Sequence, residues 1–355
     1  MTRKNAQHVA KLVAAMAVTG FLAACGGGGG DGAGTGSGGN GGTGGTTPTV
    51  PTTPTVPSST SPATDVPAAT YSDLRATLFT QLNDFRAAVG VGKLSQDAKL
   101  DVAAQAHADY MKANLVVGHD ELSTNTGYYE ATPRSRATKA GVDAATWISE
   151  VAGGTALLPI SQVPMCLRMT NSVYHLQALT SNVETVGLGI NDYACSIDMG
   201  VVTLGGVAGT PPANSSPVGN GQLMAANAIG VAPVEGSSVD GAMPAESPQP
   251  APDIVSPGHP LMVRVRADTT ADKLTVSSFT LVDNVGATIP GRVLVPTAAL
   301  SGSTVSGAQA DAMLYPGVAF FMPLSPLASG KTYTATFAGA RNGTAISKSW
   351  SFKTN

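Results

Sequence analysis

Charge is scarce in this chain of 355 residues: Asp, Glu, Lys and Arg make up 12% of it, about half the share of an ordinary globular protein. The charge that is present does not favour the basic side. Net charge is −3 at pH 7, so the electrostatic footprint of a nucleic-acid binder is missing. Long apolar runs are missing too, since no stretch reaches the ~20 residues a spanning helix needs. That excludes a polytopic membrane protein. Cysteines number 3, too few for a disulfide scaffold and without the paired spacing of a zinc ribbon. No Gly-x-Ser-x-Gly elbow is present to support a serine hydrolase. What abounds is glycine, at 42, and proline, at 24, much of it before residue 71. The length fits about two domains.

The N-terminus reads as an address and a tether. Arg3, Lys4 and Lys11 precede the apolar stretch 12–24, which is too short to span a bilayer and fits the h-region of a signal peptide. The stretch closes on Leu22-Ala23-Ala24-Cys25, which resembles the lipobox of bacterial lipoproteins. The resemblance implies a signal peptide over 1–24 and an acylated Cys25 carrying two or three chains, enough for stable anchoring. Gly26 follows the cysteine, and the aspartate that resembles an inner-membrane retention signal is absent. The expected location is therefore the cell envelope, with outer-membrane sorting in a Gram-negative cell. Residues 26–45 hold fourteen glycines and 46–70 are rich in Thr and Pro, so 25–70 reads as a tether unable to bury a core. Cleavage takes three positive charges from a net of −3, leaving −6, which disfavours close contact with anionic lipid.

Periodicity then sets in. Leu74, Leu78, Leu82, Phe85 and Val89 mark one face of a helix closed by Gly90. Ser95 is the expected N-cap of a second helix running to about Leu115, with Leu100, Ala103, Ala104, His107 and Met111 on one stripe. A third helix takes Thr132 as N-cap, Pro133 as its first residue and Gly141 as terminator. Strands are expected near 147–152, 184–190 and 195–205, interrupted by a helical patch between Pro164 and Thr180. Helices interleaved with an antiparallel sheet predict an α–β–α layered domain over 71–208.

The run LNDFRAAVGVGKLSQDAKLDVAAQAHADYMKANLVVGHDE resembles the opening of the CAP (SCP-like) domain family. TPRSRATKAGV, ISEVAGG, NSVYHLQAL and ETVGLGI continue the match in family order. The resemblance implies a three-layer sandwich with a cleft holding two histidines and one or two acidic residues. Matched position by position, these are His119, Glu150 and His175, expected to converge on a shared ligand or divalent metal such as zinc. Two departures stand out: Val151 follows the glutamate where the family commonly has asparagine, and Leu176 follows the second histidine where bacterial members often have arginine. The family's second cleft glutamate has no counterpart in MCLRMTNS.

Two imidazoles and a carboxylate can bind a divalent metal, act as general acid and base, or satisfy one another in a polar cleft. The preferred expectation is a module that binds a hydrophobic small molecule, a lipid or a divalent metal, more readily a binder than an enzyme. The rivals are a metal-assisted hydrolase of envelope material and an adhesion protein with a vestigial cleft. His107, on the apolar stripe, reads as a packed, hydrogen-bonded histidine, and His259 as a loop residue. Asp120 and Glu121 read as solvated, with either able to enter the cleft as a substitute carboxylate. With Cys25 acylated, Cys166 and Cys195 remain as an even pair in an oxidising compartment and are expected to form a disulfide.

Residues 209–253, rich in Pro, Gly, Ser and Ala, read as a linker. Over 254–355 the period falls to two: LMVRVRA, LTVSSFTLVD, RVLVP, VAFFM, TYTATFA and SKSWSFKT point to about seven short strands. The closing segment resembles bacterial Ig-like domains, implying a β-sandwich anchored by Trp350 and Phe352, so the expected class of the whole chain is α+β. Changes of composition at about 71 and 254 predict two separately protease-resistant fragments.

Overall fold

The computed structural model describes residues 59–154, 162–204 and 217–355, together with the backbone of 22–23. Cys25 and most of the expected signal peptide and tether lie outside the described residues. Among the described residues no helix is long and apolar enough to cross a membrane.

The first helix, α1 (Leu74–Val89), begins and ends as its caps dictate. Asp73 accepts from the Arg75 backbone N–H, and Gly90 takes the left-handed conformation at φ 87°. Its buried face is rotated from the expected stripe: Leu74 is exposed, while Phe79 and Arg86 point inward. The second helix, α2 (Ala98–Asn114), starts later than expected. Asp97, not Ser95, is its N-cap and accepts from the N–H groups of Lys99 and Leu100; a carboxylate also favours the positive end of the helix dipole. Ser95–Gln96 instead pairs as a short parallel strand with Thr185–Val186. The third helix, α3 (Pro133–Lys139), has the expected Thr132 cap, completed by Ser135 as a capping box. The expected helical patch consists of α4 (Gln162–Leu167), a 3-10 turn over Arg168–Asn171, and α5 (Val173–Leu179).

Three antiparallel strands form the middle layer. They are β1 (Trp147–Gly154), β2 (Thr185–Ile190) and β3 (Ala194–Val201), with β3 in the centre. Beyond β1 the sheet is extended by Leu22–Ala23 and Glu246–Ser247. One face packs Val151, Ile197 and Met199 against Leu78, Leu82, Ala178 and Leu179. The other face receives α2 at close range. A Cβ at Gly187 or Gly189 would collide with the backbone at Leu100 or Ala104, so only glycine lets the helix lie this close to the strand. Cys166 on α4 and Cys195 on β3 form the expected disulfide, with Cα atoms 5.6 Å apart.

The C-terminal part is a two-sheet sandwich. Its strands are β4 (Ile229–Ala232), β5 (Ser238–Val239), β6 (Leu261–Val265), β7 (Leu274–Asp283), β8 (Gly291–Pro296), β9 (Gln309–Asp311), β10 (Val318–Pro323), β11 (Thr332–Arg341) and β12 (Thr344–Thr354). One sheet runs β9-β8-β10-β6-β4 and the other β7-β11-β12-β5. Strands β11 and β12 form a hairpin over Asn342-Gly343, both at positive φ, as a two-residue primed turn requires. Phe279 fills the space between the sheets, its ring centroid 5.4 Å from Phe337 and 6.0 Å from Trp350. Phe352 stacks on Tyr333. The anchoring role expected of Trp350 and Phe352 is thus seen in packing.

Two segments read as connectors are built into the fold. Of the expected linker, residues 217–253 supply β4 and β5, one to each sheet of the sandwich. Of the expected tether, Ser59–Thr60 pairs with Gly221–Gln222, and the Ala63 N–H donates to Gln222 Oε1. Nor are the two parts separable by their packing. Val173, Tyr174 and Leu176 of α5 share one apolar cluster with Met262, Leu294, Val318 and Phe320 of the sandwich. Tyr174 Oη donates to Asp311, and Gln177 bonds the backbone at Met313 and Tyr315. Each part keeps an apolar cluster of its own, and a third cluster built from both joins them across α5, which is buried on both sides.

Candidate functional site

Glu150 sits on β1 with its side chain on the sheet face shared with Ile148 and Ala152, toward α2 and α3. It is fully buried. Three groups hold its carboxylate: His119 Nδ1 at 2.8 Å, Arg136 Nη2 at 2.7 Å and Ser196 Oγ at 3.3 Å. His107 Nε2 lies 3.7 Å away. Arg136 comes from α3 and also donates to the His119 carbonyl, so one guanidinium fixes both the carboxylate and the loop carrying its imidazole. His107, on α2, contacts Glu121 Oε1 through Nδ1 at 2.9 Å and the Gly118 carbonyl through Nε2 at 2.7 Å. It is packed and hydrogen-bonded, as its place on the apolar stripe predicts. Glu121 is buried and accepts from the Tyr129 N–H. Asp120 stays exposed, so of the two acids after His119 it is Glu121 that enters the cluster.

A second carboxyl completes the network. Asp198 on β3 lies opposite Glu150 on β1, and Ser196 Oγ donates to it at 3.1 Å. The two buried acids titrate apart. Burial alone would raise Glu150, but the charges of His107 and Arg136 and the bond from His119 hold it well below the usual carboxylate range. Burial, then the negative charge of Glu150, pushes Asp198 well above that range. Like charges this close do not both ionise in a dry interior. Of the two, Asp198 is therefore the acid that favours its protonated form, and its Oδ2 has no hydrogen-bond partner.

His175 is placed in different company. It lies on α5, fully buried, with Nδ1 2.7 Å from Glu246 Oε1 and 3.0 Å from Ser172 Oγ. The structure thus brings His119 and Glu150 together and gives His175 a separate carboxylate. Among the described residues no group of three or more His, Cys, Asp or Glu side chains could hold a metal ion. The donor chemistry agrees. Glu150 already accepts from Arg136, whose buried positive charge stands where a divalent ion would have to be welcomed. The expected metal set of His119, Glu150 and His175 does not fit.

Sequence reasoning missed Arg136, Ser196, Asp198 and Glu246. Ser196 and Asp198 were readable as the polar alternation on a strand whose other face is Cys195, Ile197 and Met199. Arg136 and Ala137 are the two buried positions of α3, a weaker signal. Glu246 gave none, lying in a segment with the composition of a linker. His259, read as a loop residue, is buried and bonded to the Asp240 carbonyl, and burial lowers its pKa to about 4.

The cysteine-rich secretory protein family (CAP) model matches residues 79–203. Among solved structures, the chain is similar to an extracellular protein containing a SCP domain from Bacillus anthracis str. Ames, at 20% identity and a TM-score of 0.30. That likeness covers 35% of this chain and 38% of the other, and the family assignment rests on the sequence match alone. No curated protein matches the chain. With the layered helices and sheet in place around the matched region, residues 79–203 are a CAP domain of the cysteine-rich secretory protein type.

Proposed function

We propose that the protein is an exported, lipid-anchored binding module of the cell envelope, in which His119 receives a ligand with an apolar body and a hydrogen-bonding group. One observation carries this reading. Three polar atoms of the buried network lack a partner: His119 Nε2, Arg136 Nε and Asp198 Oδ2. Of these three residues only His119 reaches the surface, its side chain 11% exposed although Nε2 itself is buried. Its Nδ1 faces the Glu150 carboxylate at 2.8 Å, which fixes the ring and leaves Nε2 as the nitrogen still to be paired. The flanking loop is apolar and open. Leu115, Val116 and Leu122, three of the ten exposed large hydrophobic side chains among the described residues, surround His119 in sequence.

The anchor rests on the lipobox-like ending at Cys25, and residues 59–63 dock on the folded part, where Ser59–Thr60 pairs with Gly221–Gln222.

The test is retention of envelope lipids by the full-length chain, read by native mass spectrometry and by titration with the lipid recovered. The wild type is expected to carry an apolar ligand, and His119→Ala to bind it about tenfold more weakly, the effect of one lost hydrogen bond of ~1.4 kcal/mol. Equal affinity of the two proteins, or no ligand on either, would overturn the reading.

A further inference from the structure

The CAP match ends at residue 203, yet among the described residues the most heavily bonded carboxylate comes from residue 246. Glu246 is buried and accepts from the backbone N–H groups of Val173, Tyr174 and His175, each at 2.9 Å. It also accepts from Ser172 Oγ at 2.9 Å and from His175 Nδ1 at 2.7 Å. Ser172, the N-cap residue of α5, makes no capping bond of its own. Its hydroxyl is turned to Glu246, which takes over the orphan donors of the helix. The other end of α5 is served from outside as well. Arg86 donates to the Leu179 carbonyl and Arg264 of the sandwich to the Gln177 carbonyl.

Glu246 is borne on a strap whose two ends are fixed to the sandwich. Ala242 and Gly258 form a β-bridge, and the N–H groups of His259 and Leu327 both donate to the Gly241 carbonyl. Gly258 N–H donates to the Pro323 carbonyl. On the strap's far limb Asp253 pairs with Arg292 through two bonds, at 2.6 and 2.7 Å. Between these fixed ends the chain crosses to the CAP domain and delivers one side chain.

We infer that Glu246 is a positioning residue for His175, and that the strap 241–258 makes the geometry of this histidine depend on the docking of the β-sandwich. The carboxylate keeps a proton on His175 Nδ1 and holds the ring against the first turn of α5. The CAP domain therefore lacks one of its three histidine–carboxylate pairs until the segment beyond it is in place. This does not rest on the ligand proposed for His119.

The experiment is NMR of the full-length chain labelled with 15N at histidine, recording the ring N–H signals of His175 and His119. In the wild type the Nδ1–H of His175 is expected as a slowly exchanging signal. Glu246→Ala should abolish it and leave His119 unmoved, and Glu246→Gln, isosteric but uncharged, should keep the fold and shift the signal. Gly258→Ala tests the strap from its far end, where the added Cβ would meet Ser325 O at 2.5 Å and Pro323 Cβ at 2.7 Å; it should also shift His175. An unchanged His175 signal in the folded Glu246 variants would overturn the positioning role. An unchanged signal in Gly258→Ala alone would overturn the coupling through the strap. If Glu246→Ala fails to fold, the Gln variant carries the same decision.

Discussion

The CAP domain and the β-sandwich meet in a shared apolar cluster but are built from different materials. Among the described residues, seventeen of the buried polar and charged side chains fall between Asn83 and Asp198 and five lie beyond. The sandwich closes on Phe279, Phe337, Trp350 and Phe352, held by area and shape. The CAP domain instead buries Glu150, Asp198, Arg136, His107 and Glu121 in mutual contact. It also buries Arg86, which donates to five backbone carbonyls and meets no carboxylate. Burial, with Arg264 nearby, brings the pKa of Arg86 down to about 9. Apolar packing tolerates a change of shape when volume is kept, whereas a charged cluster fails when one partner is lost. The region that keeps such a cluster is the one in which we propose a ligand site at His119.

The largest expected effect tests that contrast directly. Glu150→Ala leaves Arg136 buried without its partner and should destabilise the fold by ~3–5 kcal/mol. A volume-conserving change in the sandwich, Leu281→Met, should cost less than ~1.5 kcal/mol. Denaturant unfolding of the two variants gives the comparison; similar losses would break it. Because a shared apolar cluster joins the two parts, both should unfold in one transition.

Reduction of the Cys166–Cys195 bridge comes next. It closes 29 residues, and its loss should remove about 3–4 kcal/mol in the chain-entropy model. Thiol counting on the unfolded, unreduced chain should find neither sulfur free.

The two regions should also answer pH with opposite signs. Asp198 has a raised pKa in the fold, so folding takes up a proton, and its contribution falls as pH climbs above the unfolded carboxylate value of 3.8. His259 has its pKa lowered from 6.5 to about 4. The fold keeps it neutral, and its contribution is lost as pH falls through that window, by up to ~3 kcal/mol. Asp198→Asn should therefore raise stability at neutral pH and leave it unchanged at the acid end. His259→Gln should remove the loss between 6.5 and 4. Stability measured against pH for both variants checks the signs.

The smallest effect on stability is expected at His119, where the ring is partly exposed and Glu150 keeps Arg136 and Ser196 as partners. His119→Ala should lower the melting temperature little while weakening ligand retention, which separates recognition from folding.

Much of this architecture was legible along the chain. Gly90, Thr132 and Pro133 mark helix ends through backbone chemistry that acts within a turn. Alternation over 274–283 and 347–354 marks strands because a pleated chain turns successive side chains to opposite faces. Ser95 misled because Asp97, two residues on, caps more strongly and leaves Ser95 free to pair with Thr185. The linker reading of 217–253 failed for a related reason: proline, glycine and serine set local stiffness, and they do not forbid short strands against a ready-made sheet edge.

Local chemistry acts over a few residues, so the sequence by itself determined the helices, the main strands, the paired cysteines and the place of His119 and Glu150 in a common motif. Tertiary structure decided which carboxylate each histidine meets. Glu246 lies 71 residues from His175, and no spacing rule connects them. It decided, too, that Arg136 would stand where a metal was expected and that Asp198 would titrate well above Glu150. Those outcomes depend on burial and on the sum of nearby charges, quantities that exist only once distant segments have packed together.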